Sequence, residues 1–348
     1  MRNIKQRMMD IGDELIPGLP EEIALECLTR SHFTTHRVAA RVSRRWHRLF
    51  LSRHFYNLRK LSGRTHKAVF AVQSLLQPVS DEAKSAAPIA FGVSAFDPAT
   101  GNWTRIKPIE KYPNGLPLFC RIIGVDGKLA VIGGWDPVSY RPVEDVFVYE
   151  FAAEKWRQGK GMPEKRSFFG ATEYGGEIFV AGGHDEGKNA AASAWVYNIR
   201  NDEWRELPAM SRGRDECEAV AIGSEIWVVS GYETENQGNF ERTAEVYETK
   251  TGKWRRVESA WCEERSPRNV VGVGREGELF NWATAAAAAK TTAVTGEGIV
   301  GVNMEEKAIV FMGRNGVFMG ECQNGKLERI ELPEEFSGFV QSACYTHI

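Results

Sequence analysis

The chain has little with which to build a metal or redox centre. Of its seven histidines, only His184 and His347 lie beyond residue 66, too few for a set of imidazole ligands in that region. Six cysteines, Cys27, Cys120, Cys217, Cys262, Cys322 and Cys344, are scattered with no Cys-x-x-Cys pair. That spacing leaves buried free thiols as the expectation, hence a reducing compartment, cytoplasm or nucleus. No apolar run reaches bilayer length and the first residues are polar, so no membrane anchor or signal peptide is expected. No Ser/His/Asp or Cys/His set stands out, and no glycine-rich loop joins a strand to a helix; Gly274–Gly277 reads as a turn. No catalytic residue, cofactor or metal ligand is therefore assigned. Net charge is also small, −2, so no nucleic-acid partner is expected. The balance is uneven, with 14 Lys/Arg against 6 Asp/Glu in residues 1–67 and an acidic remainder. An acidic protein partner suits that basic head.

What the chain does have is a recurring layout. In residues 166–204 an apolar strand starts at Arg166-Ser167-Phe168-Phe169-Gly170, and a second, Ile178–Ala181, closes on Gly182-Gly183. Two further strands end at Tyr197 and open at Trp204. Gly133-Gly134, Tyr149 and Trp156 repeat the order upstream, Gly231, Tyr247 and Trp254 downstream, and Phe96 and Trp103 mark an earlier half-copy. The aromatic-to-Trp interval is 7 in all four, and the Trp-to-Trp steps are 53, 48 and 50. Glycine pairs suit crowded inner strand ends, and the seven-residue interval holds a turn between outer strands. A period of roughly 50 with four short strands per unit resembles kelch-type propeller blades. Tyr and Trp are then residues that pack blade on blade.

The expected fold is mainly β: a kelch-type β-propeller over residues 66–348, of six blades with five as the fallback. The last two blades read as degenerate. In the fifth, Thr284-Ala285 replaces the glycine pair and an alanine tract, Ala285–Ala289, follows; in the sixth, Gly320 and Leu327 replace Tyr and Trp. The C-terminal segment Gly338–Cys344 looks like a first strand, which the first blade lacks. It is expected to complete that blade and close the ring.

Residues 1–13 are polar and expected to be flexible, and residues 14–60 read as a small α-helical domain. Pro20 followed by Glu21 and Glu22 is a helix start. Thr34 or Thr35 can cap a second helix, in which Val38, Val42, Trp46 and Leu49 recur at helical spacing. The stretch Leu19-Pro20-Glu21-Glu22-Ile23, Leu28, Val42-x-x-x-Trp46 and Leu49 resembles the F-box, the module that docks on the Skp1-type adaptor of cullin-based ubiquitin ligases. The resemblance implies that Leu19, Pro20, Ile23, Leu28, Val42 and Trp46 bind the adaptor.

Further segments look like one plant group of F-box/kelch-repeat proteins: Gly115–Arg121, Gly133-Gly134-Trp135-Asp136-Pro137, Arg166–Gly170, Val180–Glu186, Arg214–Cys217 and Gly231–Gly238. Membership implies a substrate receptor of a Skp1–cullin–F-box ligase, not itself an enzyme. Its client would be phenylalanine ammonia-lyase, in control of phenylpropanoid synthesis, or a type-B response regulator of cytokinin signalling. A kelch scaffold without ligase function is the other reading. The client face should gather the loops before each inner strand and after each glycine pair. It would present Arg121, Trp135, Tyr140, Arg141, Arg166, His184, Arg214, Tyr232 and Arg268, types enriched at interface hot spots. Arg166, Arg214 and Arg268 are taken to share one blade position, which leaves open that they bond neighbouring carbonyls instead.

Overall fold

The computed structural model describes residues 14–75, 89–288, 298–304, 307–313, 316–321 and 326–348. The expected loose terminus (1–13), the loop 77–88 and Ala289 lie outside the described residues.

Among the described residues the helical part has four short helices: α1 (Glu21–Thr29), α2 (Phe33–Ala39), α3 (Arg44–Phe50) and α4 (Arg53–Leu61). The single helix expected through Val38 and Trp46 is two. The Ser43 hydroxyl accepts from the Trp46 amide at 3.1 Å and starts α3 afresh, so local capping outweighs the continuous apolar spacing. Neither Thr34 nor Thr35 caps α2, which His32 caps instead. Leu15, Ala24, Leu28, Ala40, Phe50 and Phe55 make the small core.

Among the described residues twenty-two strands follow, in six sheets. Blade 1 holds β1 (Lys67–Ser74), β2 (Phe91–Phe96) and β3 (Trp103–Arg105), and its innermost strand is β22 (Val340–His347), in the order β22-β1-β2-β3. The C-terminal strand thus completes the first sheet, as expected. Blade 2 is β4 (Arg121–Val125) to β7 (Lys155–Gly159), with β5 (Lys128–Ile132) and β6 (Val146–Glu150) between. Blade 3 runs from β8 (Gly170–Tyr174) through β9 (Glu177–Ala181) and β10 (Ala194–Asn198) to β11 (Glu203–Leu207). Blade 4 is β12 (Glu218–Ile222), β13 (Glu225–Val229), β14 (Ala244–Glu248) and β15 (Lys253–Val257). Blade 5 has two described strands, β16 (Val271–Val273) and β17 (Leu279–Asn281), followed by helix α5 (Trp282–Ala288). Blade 6 is β18 (Ile299–Met304), β19 (Lys307–Met312), β20 (Val317–Glu321) and β21 (Lys326–Arg329). Inner strands β22, β4, β8, β12, β16 and β18 each touch the next in a closed cycle.

The seven-residue interval is a register. Phe96 faces Trp103, Tyr149 Trp156, Tyr197 Trp204 and Tyr247 Trp254 across the outer strand pair. Each of three tryptophans then donates to a carbonyl just past the outermost strand of the preceding blade: Trp156 to Lys107, Trp204 to Lys160 and Trp254 to Pro208, at 2.6–2.8 Å. The indoles pin blade to blade, as their amphipathic shape permits. Blade 6 keeps the register with Gly320 opposite Leu327, and its four strands form without the aromatic pair. In blade 5 the fully buried Trp282 leads the helix instead, and a Cβ at Gly301 would overlap its ring.

Strands β8 and β16 begin at Gly170 and Val271, later than the expected Arg166 and Arg268. The residues between form a leading loop that carries the candidate site. In each loop one residue takes a left-handed backbone: Phe119 (φ 59°), Phe168 (φ 56°), Glu216 (φ 53°) and Asn269 (φ 63°). Such angles are strained for a bulky residue. Opposite them, Gly183 (φ +81°) lies so close that a Cβ would meet the Phe169 amide nitrogen at 2.8 Å, so glycine is required there.

The helical part sits on one end of the ring. Arg53 pairs with Asp126 at 3.3 Å and Arg37 with Glu154 at 2.8 Å. The Tyr56 ring lies against Gly127, at the β4–β5 turn. Turns of that kind stand at the opposite end of a blade from the glycine pairs, so the leading loops face away from the helices.

Candidate functional site

Two surfaces stand out, one at each end. On the helices, Leu19 is 37% exposed, Ile23 51% and Val42 65%, with Pro20 also open to solvent. The first turn of α1 and the two residues before it therefore present Leu19, Pro20 and Ile23 together, and the α2–α3 turn adds Val42 beside the exposed Val38. Large apolar side chains left open in this way mark a docking surface. Trp46 is half-buried, and its indole donates to the Leu15 carbonyl at 2.6 Å. Leu28 corrects the sequence reading. It is 6% exposed and belongs to the helical core, because it falls on the face of α1 that carries Ala24 rather than Ile23.

At the other end, the nine residues expected on the client face divide. Five are buried. Arg166 and Arg214 are each 1% exposed. Arg166 donates to the Gly182 and Ser193 carbonyls at 3.1 and 3.2 Å. Arg214 does the same with Ser230 at 2.8 Å and Thr243 at 3.4 Å, and with the Thr243 hydroxyl at 2.8 Å. Each guanidinium staples its own blade. Arg268 does not share their position: Arg166 and Arg214 stand two residues before the left-handed residue, Arg268 one before.

Arg121 is buried at the channel mouth, ion-paired with Glu218 and donating to Asn269 at 2.8 Å. Asn269 in turn donates from its amide to Glu218 at 2.6 Å and from its side chain to the Gln341 carbonyl at 2.9 Å. This network ties blades 1, 2, 4 and 5 above a channel cavity of about 240 Å³. Tyr232 is buried with its hydroxyl donating to Glu216 at 3.2 Å.

His184, the fifth buried residue, completes a chain that sequence reading did not find. The Trp135 indole donates to Ser167 Oγ at 2.6 Å, Ser167 Oγ lies 2.9 Å from His184 Nε2, and His184 Nδ1 lies 2.8 Å from Asp215. The connectivity is that of a Ser-His-Asp triad. Ser167, however, is fully buried beneath the indole, so no carbonyl can reach its oxygen and the chain acts as a strut across blades 2, 3 and 4. Among the described residues no group of three or more His, Cys, Asp or Glu is placed to hold a metal ion.

Four expected residues do reach the surface. Tyr140 is 56% exposed, Arg141 is exposed, and Trp135 and Arg268 are half-buried. Two aromatics join them: Phe168, which the sequence reading placed in a strand, and Phe119. Both are partly open and lie 4.7 Å apart with tilted rings, Trp135 packs on both at 5.5 and 5.6 Å, and the Arg268 guanidinium covers Phe168 at 4.8 Å. Burial, then the neighbouring Arg121 charge, pulls the Arg268 pKa down to about 10. The result is an aromatic platform capped by a cation, suited to apolar and aromatic side chains of a protein surface. A signal existed: Phe119, Phe168 and Glu216 each stand 15 residues before the last glycine of their repeat, Gly134, Gly183 and Gly231.

Comparison with known proteins agrees with both ends. Residues 16–58 match the F-box domain model, and residues 84–273 match the KLHDC2/KLHL20/DRC7 kelch-repeats domain. F-box/kelch-repeat protein At1g15670 of Arabidopsis thaliana is 41% identical over 246 residues, covering 69% of this chain and 68% of that protein. F-box/kelch-repeat protein SKIP20 of the same plant is 36% identical over 302 residues, 76% of this chain and 71% of the relative. The solved structure of YjhT matches 59% of this chain and 71% of its own at 14% identity, with a TM-score of 0.46. With a leading F-box, a ring of kelch blades and relatives at this identity, the chain belongs to the plant F-box/kelch-repeat protein family.

Proposed function

We propose that this chain is the substrate-recognition subunit of a Skp1–cullin–F-box ubiquitin ligase, with no catalytic centre of its own. One observation carries the reading: an open apolar ridge and a cation-capped aromatic platform lie at opposite ends of one closed ring. Leu19, Pro20, Ile23 and Val42, with the edge of Trp46, bind the Skp1-like adaptor and through it the cullin core. Phe119, Trp135, Tyr140, Arg141, Phe168 and Arg268 hold the client. The ring sets the spacing between the two, so a bound client is held at a fixed place relative to the ubiquitin-transferring machinery.

For the client we favour phenylalanine ammonia-lyase, whose turnover would restrain phenylpropanoid synthesis. The support is the likeness of the leading-loop and glycine-pair segments to that plant group; type-B response regulators are the alternative from the same likeness. Both clients place the protein in cytoplasm or nucleus. The test is affinity purification of the chain under proteasome inhibition, from cells making both client types. Recovery of the Skp1-like adaptor together with phenylalanine ammonia-lyase supports the reading. Recovery of response regulators selects the alternative, and purification without adaptor returns the chain to a kelch scaffold.

A further inference from the structure

Three seams between blades are built to one pattern, and the first departs from it. On the face each blade turns to the next, blades 2, 3 and 4 place a valine opposite an arginine across their outer strands: Val148 and Arg157, Val196 and Arg205, Val246 and Arg255. The arginine stem lies along the seam, and Arg157 reaches the next blade, donating to the Ile199 carbonyl at 2.6 Å. Blade 1 has Ala95 opposite Thr104 in the same register. Both side chains are shorter, and the volume they leave is not refilled. A cavity of about 470 Å³ lies at that seam, under α2, within the size range of small-molecule sites.

The walls are aromatic and the lip carries one unpaired cation. Phe33 of α2, Phe70 of β1 and Tyr149 and Phe151 of blade 2 line the cavity together with Arg37 and Lys107, whereas the Arg105 guanidinium turns to the other face of β3, over Phe336 and bonded to Ser94. Both acids of the lining are engaged: Asp97 accepts from the Ala99 amide and the Thr100 hydroxyl at 2.8 Å each, and Glu154 pairs with Arg37. Lys107 is exposed and makes no ion pair among the described residues. We infer that the blade 1–2 seam is a binding site for a small aromatic anion, with its rings between Phe33, Phe70 and Phe151 and its charged group towards Lys107. Apolar walls with a few convergent polar groups are what such ligands require, and the unpaired Lys107 selects the sign of the charge. The occupant would touch the helical module and the ring at once. This site is separate from the client platform and stands whichever client that platform takes.

A matched pair of dyes tests it: 8-anilinonaphthalene-1-sulfonate and its uncharged parent, N-phenyl-1-naphthylamine, titrated into the full chain by fluorescence. The double variant Ala95→Val/Thr104→Arg installs the residues that blades 2, 3 and 4 carry at their seams. It should lose one high-affinity site for both dyes while keeping the wild-type melting temperature. Lys107→Glu should weaken the sulfonate about five- to tenfold, the effect of reversing one exposed charge a few ångströms away, and leave the neutral dye unchanged. A folded double variant that still binds both dyes as wild type overturns the site. Should the double variant not fold, Lys107→Glu alone decides, and an unchanged sulfonate affinity overturns the proposal.

Discussion

Acidification should loosen the helical module through a single buried imidazole. His36 is 6% exposed and packs on Phe50 and Phe55 with ring centroids 4.7 and 5.5 Å away. Its Nδ1 lies 3.3 Å from an Arg59 guanidinium nitrogen, and its Nε2 lies 3.1 Å from Ser31 Oγ. Guanidinium can only donate, so Nδ1 accepts and the proton of the neutral ring resides on Nε2. Burial first, and the Arg59 charge second, pull the His36 pKa from 6.5 to about 4.

The folded state therefore binds its proton later than the unfolded chain as pH falls. Stability is full above the unfolded value and declines as pH drops through it towards the folded value. With those two pKa values, lowering pH from 7.5 to 5 removes about 2 kcal/mol. The assay is urea unfolding followed by the helical far-ultraviolet circular dichroism at both pH values, with His36→Asn as the control that keeps an acceptor facing Arg59. The variant should be less stable at pH 7.5 and should show a smaller loss on acidification by about 2 kcal/mol. Burial also lowers the His66 pKa, which adds a contribution of the same sign to both proteins, so the difference between them isolates His36. Equal pH slopes, or an NMR titration placing His36 above 6, would refute the reasoning.

Other consequences can be checked separately. Arg214→Met leaves the Ser230 and Thr243 carbonyls and the buried Glu245 without their guanidinium and should cost about 3–5 kcal/mol in chemical denaturation; Arg141→Ala, on the surface, should cost under about 0.5 kcal/mol. Ile23→Asp should abolish capture of the Skp1-like adaptor in pull-down with melting temperature unchanged, whereas Leu28→Asp should lower melting itself, since Leu28 is core. Phe168→Ala should weaken client capture at least tenfold, the loss of one aromatic anchor at about 1.4–2 kcal/mol, while adaptor capture is retained.

Much of the ring was legible because its signals are local. The aromatic-to-Trp interval of seven is a cross-strand partnership, so Tyr197 and Trp204 announce two strands and their register at once. The closing strand was readable from its likeness to other first strands. What escaped was set over long distances or by competition. The Arg121–Glu218 pair joins residues 97 apart, and nothing near either residue predicts it. Phe168 reads as strand because it is apolar, yet a left-handed backbone, shared by Phe119, turns both out on the face of the ring. Arg166, Arg214 and Tyr232 looked like binding residues by type; the carbonyls and carboxylates that consume them are visible only once the blades are assembled. Blade 6 shows the converse. It lacks the aromatic signature and still forms four strands, because backbone pairing, flanked by buried Val300, Ile309 and Phe311, suffices without it.

The pairing of β22 with β1 has a bearing on how the protein is made. Lys67 and His347 are partners, so nearly the whole ring must leave the ribosome before its opening sheet gains an innermost member. Until then Val69 to Val72 have a bare backbone on one side while the helical module, complete by Leu61, is already able to fold. A nascent chain could meet the degradation machinery long before it can hold anything to be degraded. Any shortened product lacking β22 would keep that raw edge for its lifetime, an invitation to be recognised as waste.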